Sequence, residues 1–569
     1  MAVTFSEGAL PIALDGARKA RGNLTRARIR WVMVVLVLLF GVVGGRLVQL
    51  GLVVPDNTIE GRERDLITAT RPAILDRNGL ELAVDIRVPS LFAEPRRIVD
   101  VDEAVDKLTS VLPDINRDWL RGKLTGDKGF VWIKRELTPA LQEKIYQLGI
   151  PGIDFVTESK RFYPGGNESS HILGSVNIDN QGIAGIEKDI DDEDVALLQS
   201  VGLARGNELT PVNLSVDLRV QHVMHEQLTD ALTRYKAVAA AGVMMDVRTG
   251  EIVGMVSLPD FDPNNPVTAL EKDRFNRITS GIYELGSTFK TITLAGALDS
   301  GKVKITDSFD ARYGVRFGRF TIDDFHGKHR VLTVPEIYKY SSNIGAIKVM
   351  QALGKDDYRA FLTRIGMDAP APLELPEKRN PVVPPKFSEI VAATASFGHG
   401  LSVSPLQMLR AVAGFVNGGN MVVPTLYKRT VEQAQATYTR IVSEQTSEEV
   451  RYLMRLNALE GSGTRMNLFA AGYRGGGKTG TAEKVVNGRY TTGANFNVFA
   501  SAFPLDNPRY AMVVIVDEPH AENAQSGTTA GWNAGEVTGR IIQRAAPMLG
   551  ISPDFSQMLD DELVPPELR

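Results

Sequence analysis

The chain has no cysteine in 569 residues. That excludes a disulfide framework, a thiol nucleophile and cysteine-ligated zinc. It leaves the compartment open, because many proteins of oxidising compartments also lack cysteine. Charge of one sign is lacking too. The net charge is -4, so no global basic field points to nucleic acid. Internal repeats and long low-complexity segments are absent. Histidine is scarce, and two small groups stand out. His222 and His225 sit beside Glu226, and His326 and His329 follow Asp323 and Asp324. Neither group offers an evident third and fourth ligand, so both read as solvated polar faces. No metal and no cofactor is expected.

A long apolar run is present. Every residue from Trp31 to Gly45 is apolar or glycine, and after Arg46 the run continues to Val54, broken only by Gln49. A helix over 31–54 would be roughly 36 Å long, enough for a bilayer core of about 30 Å. Arg18, Lys19, Arg21, Arg26, Arg28 and Arg30 precede it. The positive-inside rule then puts residues 1–30 in the cytoplasm as a short basic tail and everything after the span outside. No small-residue cleavage site follows, so the run reads as an uncleaved anchor. A buried core helix is the competing reading. Arg46 and Gln49 either snorkel to the outer interface or contact a polytopic membrane partner.

Length and pattern divide the remainder. Residues 55–215 form a first outer domain and 216–550 a second, with a loosely held acidic tail at 551–569. "RPAILDRNGLELAVD" (Arg71 to Asp85) predicts short strands around a turn at Asn78-Gly79. Residues 102–150 read as helical, ended by Gly149. The stretch from Leu209 to Leu228 passes from strand into helix. "AGVMMDVRTGEIVGMVSLP" (Ala241 to Pro259) is a hairpin turning at Thr249-Gly250. Near the C-terminus "FNVFASAFP" and "RYAMVVIVDEP" pair across Asp506-Asn507-Pro508, and a helix follows near residues 530–548.

"GYRGGGKTGTAEK" (Gly472 to Lys484) carries two readings. Gly472, Gly477, Lys478 and Thr479 satisfy the phosphate-loop pattern G-x-x-x-x-G-K-[ST]. That loop needs a buried strand before it and a helix N-terminus after it. Here "NLFAAGYRGG" is a poor strand, and the glycines at 480, 488 and 493 leave no helical period. The apolar strand ending in Asp517-Glu518 belongs to an antiparallel pair, whereas nucleotide folds use parallel strands. No nucleotide ligand is expected.

The second reading is an acyl-transfer site. In "ELGSTFKTITLAGALDSGK" (Glu284 to Lys302) apolar positions mark a helix ended near Gly301, with Ser287 at its start and Lys290 one turn on. That spacing puts both on one face. A serine hydroxyl is a weak nucleophile, and a neighbouring lysine of depressed pKa can take its proton. "YKYSSNIGAIKVM" (Tyr338 to Met350) supplies S-x-N. Ser341 can relay a proton, and Asn343 can hold the lysine and a substrate carbonyl. Helix capping explains the same letters, and both can hold together. Lys478 with the hydroxyls of Thr479 and Thr481 can bind a carboxylate from an edge strand. Gly480 leaves room for substrate, and the N–H of Thr481 can join that of Ser287 in an oxyanion hole. Each motif alone is weak; a helix cap or a glycine-rich turn would account for it. The three in this order are specific.

In these motifs the chain resembles the penicillin-binding proteins and serine β-lactamases. "RPAILDRNG", "RFYPGG", "HILG", "GIAGIEKDID", "PDFDPNNP", "FGHGLSVSPLQM" and "KTGTAEK" look like the class B penicillin-binding proteins. The resemblance implies an α+β protein: one N-terminal transmembrane helix, an elongated non-catalytic pedestal of dimerisation type, and a transpeptidase domain with a central antiparallel sheet flanked by helices. It implies a peptidoglycan D,D-transpeptidase of the inner membrane, single-pass, with its catalytic domain periplasmic. Ser287 would attack the penultimate D-alanine of a stem peptide ending D-Ala-D-Ala, and β-lactams would acylate the same serine. "SGTTAGWNAGEVTGRII" and "VVIVDEP" look like the division type, which implies a polytopic glycosyltransferase of FtsW type and other divisome proteins as partners. An elongation-type transpeptidase and a penicillin-binding scaffold or sensor are the alternatives. A β-lactamase would need neither anchor nor pedestal. Pro72 stands where the family's first pedestal motif usually has glycine, and His399 where an aromatic is frequent.

Overall fold

The computed structural model describes residues 31–44, 71–192, 210–486, 489–556 and 558–569. Residues 31–44 are helical and exposed, Gly44 only partly so. No helix among the described residues is long and apolar enough to cross a membrane. The remainder of the expected span, with Arg46 and Gln49, lies outside the described residues, as does the 1–30 tail.

The chain forms two compact units. The smaller includes Ser90–Ile133 and Leu148–Thr157. In it the helix Val101–Val111 starts where the Asp100 carboxylate accepts from the amides of Asp102 and Glu103. Such a cap is worth about 1 kcal/mol. Ala104, Val105 and Leu108 face inward with Leu120 and Leu124 of a second helix, Arg117–Leu124. The helical reading of 102–150 is corrected in one place. Val131–Lys134 is a strand, buried at Val131 and Ile133. Gly126, at φ +121°, and Gly129 break the helical run, and Val-Trp-Ile then favours the extended chain.

The larger unit comprises Thr68–Pro89, Lys134–Gln147 and Glu158–Arg569. The Asn78-Gly79 turn is present, with strands on both sides and Gly79 at φ +87°. Ile74–Leu75 pairs in parallel with Val212–Asn213. Five antiparallel strands make the central sheet: β1 (Ala239–Asp246), β2 (Ile252–Leu258), β3 (Gly476–Val486), β4 (Arg489–Phe503) and β5 (Tyr510–Asp517), in the order β3-β4-β5-β1-β2. Both expected pairings occur, β1 with β2 and β4 with β5.

Period-two alternation sends the sheet's side chains into two cores. Ala241, Val243 and Met245 of β1 and Val498, Ala500 and Ala502 of β4 join one core; Ala240, Met244, Phe499 and Phe503 join the other. The second core is closed by α1 (Leu218–Arg234) and by the C-terminal helix Ala534–Met548. In the first core lies α2 (Phe289–Asp299), buried at every position from Phe289 to Leu298. A helix buried all round is central to its domain. Near it lie α3 (Asn343–Leu353), α4 (Pro405–Val416) and α5 (Glu444–Glu460).

The expectation of a loosely held tail at 551–569 is corrected. Arg455 of α5, only 6% exposed, grips the Asp560 carboxylate through two bonds of 2.7 and 2.8 Å. Asp554 donates its amide to Gly472 O and pairs with Arg474, while Leu563 and Leu568 pack on the core. The acidic residues that made the segment look solvated are partners for buried arginines.

Candidate active site

α2 opens with a tight turn, Gly286–Thr288, closed by the Thr288 hydroxyl on Leu285 O. Gly286 sits at φ +51°, against Gly398 at φ +84°; a Cβ on Gly398 would fall 2.0 Å from Gly286 O. Two backbones therefore meet face to face beneath Ser287, which is part-exposed. One turn on, Lys290 is fully buried. Its Nζ lies 3.1 Å from Ser287 Oγ, 3.1 Å from Ser341 Oγ and 2.8 Å from Asn343 Oδ1, and it also contacts Ser341 O.

Those contacts fit a neutral amine. Ser341 O and Asn343 Oδ1 can only accept, so they take two N–H bonds. The lone pair of an uncharged lysine then faces the two hydroxyls. Burial holds the Lys290 pKa well below its ordinary value, the like charge of Lys478 lowers it further, and Asp324 opposes them.

Ser341 adopts φ +57°, the left-handed region that favours glycine. Such strain persists only where the surroundings impose it, and functional sites are where it gathers. Ser342 caps α3 through a bond from the Gly345 amide, so the capping role and the site coincide. The Asp324 carboxylate accepts from Ser342 Oγ at 2.7 Å, from the amide of Asn343 and from that of Ile344 at 2.9 Å. Asp323 O accepts from Asn343 Nδ2. Asp324 thus fixes the turn that carries S-x-N, a role the sequence reading did not assign it. In sequence Asp324 instead groups with His326 and His329 as a solvated polar face; among the described residues no group of three or more His, Cys, Asp or Glu could hold a metal ion.

Lys478 lies on β3, an edge strand, and the chain stays extended after it as far as Val486. The helix–strand order of a phosphate loop is thereby reversed: Thr464–Phe469 is helical before it and an extended strand comes after. Gly480 approaches the nucleophile turn so closely that a Cβ would fall 2.2 Å from Leu285 O. Lys478 is fully buried, and its Nζ points at Ser341 Oγ, 3.0 Å away, rather than outward. Burial pushes its pKa down to about 7. The two lysines thus share one hydroxyl, and a charge on either disfavours a charge on the other. Thr479 Oγ1 meets Ser462 Oγ at 2.6 Å, and Thr481 Oγ1 accepts from the amide of Ala530. Ser287, Lys290, Ser341, Asn343, Lys478 and the Thr479–Thr481 edge therefore converge on one place. His399 pairs with Glu284, three residues before Ser287. His222 and His225 pair with Glu168 and Asp260 in polar contacts apart from the lysines.

Comparisons with known proteins bear on this geometry. Residues 240–542 match the penicillin binding protein transpeptidase domain, and residues 66–197 match the penicillin-binding protein dimerisation domain. The chain is 35% identical over 493 residues to a probable peptidoglycan D,D-transpeptidase FtsI of Caulobacter vibrioides, covering 85% of this chain and 82% of the relative. It is 29% identical over 539 residues to the peptidoglycan D,D-transpeptidase FtsI of Escherichia coli K12, covering 90% of each. A peptidoglycan synthetase from Bifidobacterium adolescentis shares the fold at a TM-score of 0.65 and 23% identity, over 86% of this chain and 97% of that one. With a dimerisation-domain match ahead of a transpeptidase-domain match, and serine and lysine joined at the start of a buried helix, the chain belongs to the class B penicillin-binding proteins, a family of serine acyl-transfer peptidoglycan D,D-transpeptidases.

Proposed function

We propose that the chain cross-links peptidoglycan stem peptides at the division septum through an acyl-enzyme on Ser287. Lys290, its pKa lowered by burial, takes the Ser287 proton as the oxygen attacks the carbonyl of the penultimate D-alanine. The N–H groups of Ser287 and Thr481 receive the oxyanion. Ser341, between the two lysines, gives its proton to the departing D-alanine amine and takes one in turn from Lys290, while Asn343 steadies Lys290 and the substrate. An acceptor amine from a neighbouring stem then attacks the ester by the reverse route. Thr479 and Thr481 hold the terminal carboxylate, Lys478 adds charge behind them, and Gly480 keeps the cleft open. β-Lactams acylate the same serine. The contact set of Lys290 supports this most directly: two oxygens that can only accept take two of its N–H bonds, and the Ser287 and Ser341 hydroxyls both lie within hydrogen-bond distance of the same nitrogen.

The division assignment draws on the FtsI relatives. In this reading residues 31–54 anchor the chain in the inner membrane with 1–30 cytoplasmic. Residues 55–215 form the pedestal and 216–550 the periplasmic transpeptidase. Arg46 and Gln49 contact a polytopic glycosyltransferase of FtsW type, and other divisome proteins bind the same assembly. The test is release of D-alanine from a pentapeptide stem by the purified full chain. Wild type is expected to release it and Ser287→Ala to release none; equal release by both would refute the acyl-enzyme.

A further inference from the structure

Lys478 leaves a gap in the recognition of the substrate carboxylate. Its ammonium is buried and committed to Ser341 Oγ and Thr479 O, so direct contact on the strand edge falls to hydroxyls. Thr479 is not alone there. The loop after α5, Gly461-Ser462-Gly463, is drawn against β3 by one fully buried side chain, Asn457. Asn457 Nδ2 donates to Gly477 O at 2.7 Å, and its own O accepts the amides of Gly461 and Gly463. Its Oδ1 accepts the Ser462 amide at 3.1 Å and lies 3.3 Å from Ser462 Oγ. Ser462 Oγ then lies 2.6 Å from Thr479 Oγ1, its shortest contact.

Two hydroxyls in contact share one proton and leave one over. If Thr479 donates to Ser462, the spare proton goes to Asn457 Oδ1 and Thr479 has none for a ligand. If Ser462 donates to Thr479, the Thr479 proton is free to point into the cleft. An arriving carboxylate selects the second arrangement, because it is the one that offers it a donor. The chain of two hydroxyls then polarises toward the anion and strengthens that bond.

We infer that Ser462, held by Asn457, is a positioning residue that orients the Thr479 hydroxyl to donate to the terminal carboxylate of the peptide donor. The inference rests on the acyl-transfer reading of the K-T-G strand. It moves no proton to or from the reacting carbonyl; the hydroxyl protons only reorient.

The test uses the full chain with a penicillin and its carboxyl methyl ester as probes, measuring the second-order acylation constant of each and its saturation behaviour. Ser462→Ala is expected to cut the preference for the free acid over the ester about fivefold, the net size of the one hydroxyl–hydroxyl bond that is lost. The loss should enter through the saturation constant. Ser462→Thr, which keeps the hydroxyl, should restore the preference. An unchanged preference in Ser462→Ala, or equal losses on acid and ester, overturns the inference. Thr479→Val separates the levels. If it leaves the preference intact, Thr479 is not the carboxylate donor and the inference falls with it; if it removes the preference while Ser462→Ala does not, only the role of Ser462 falls.

Discussion

Lys290 and Lys478 both lie fully buried, and both have pKa values pushed down by desolvation. Only one of them can carry a charge easily when they share Ser341 Oγ. Acylation should therefore follow a bell-shaped pH profile, rising as Lys290 loses its proton and falling as Lys478 loses its own near neutral pH. The signs of two variants differ. Lys478→Gln removes a like charge that lowers the Lys290 pKa, so the rising limb should move to higher pH. Asp324→Asn removes a carboxylate that raises it, so the limb should move to lower pH. Penicillin acylation rates across pH check both, and shifts in the same direction would contradict this electrostatic pairing. At this scale the sequence was legible where spacing was local: S-x-x-K, S-x-N and K-T-G each name their residues. Asp324 and Ser462 were not legible, because each acts through a turn that packs 17 to 20 residues away in the chain.

Strand β3 is the element that turns these residues into a cleft. The phosphate-loop reading of Gly472 to Thr479 required a helix after Lys478, and the chain runs extended through Val486 instead. Glycine density told against that helix in the sequence. The pairing of β3 with β4 was not legible, since the pairing partner is chosen by the sheet and not by the strand. Gly480 tests the element directly. A methyl group there would meet Leu285 O, and strand and nucleophile turn would have to separate. Gly480→Ala is expected to slow penicillin acylation about 100-fold or more, as a displacement near 1 Å does at a reacting centre. A near-wild-type rate would show that the cleft tolerates the separation. The strand at Val131–Lys134 and the docked tail were misread for a shared reason. Short β-rich runs and acidic tails depend on tertiary partners, here a buried face and the arginines at 455 and 474.

For the molecule as a whole, the order of its parts carried most of the information: an apolar run, a first region after it, then three motifs across some two hundred residues. Family membership followed from that order, and residues 66–197 match the dimerisation domain and 240–542 the transpeptidase domain. The septal assignment belongs to this scale, because it concerns where the protein works. Depletion in the native cell is expected to give filaments. Rounded cells would instead assign the chain to elongation. The central claim is an ester at Ser287, and the most direct measurement is the mass of the full chain after exposure to a penicillin, with the adduct mapped by peptide digestion. One adduct is predicted, on the peptide bearing Ser287, and none in Ser287→Ala. An adduct on any other residue, or one that persists in that variant, would contradict the account.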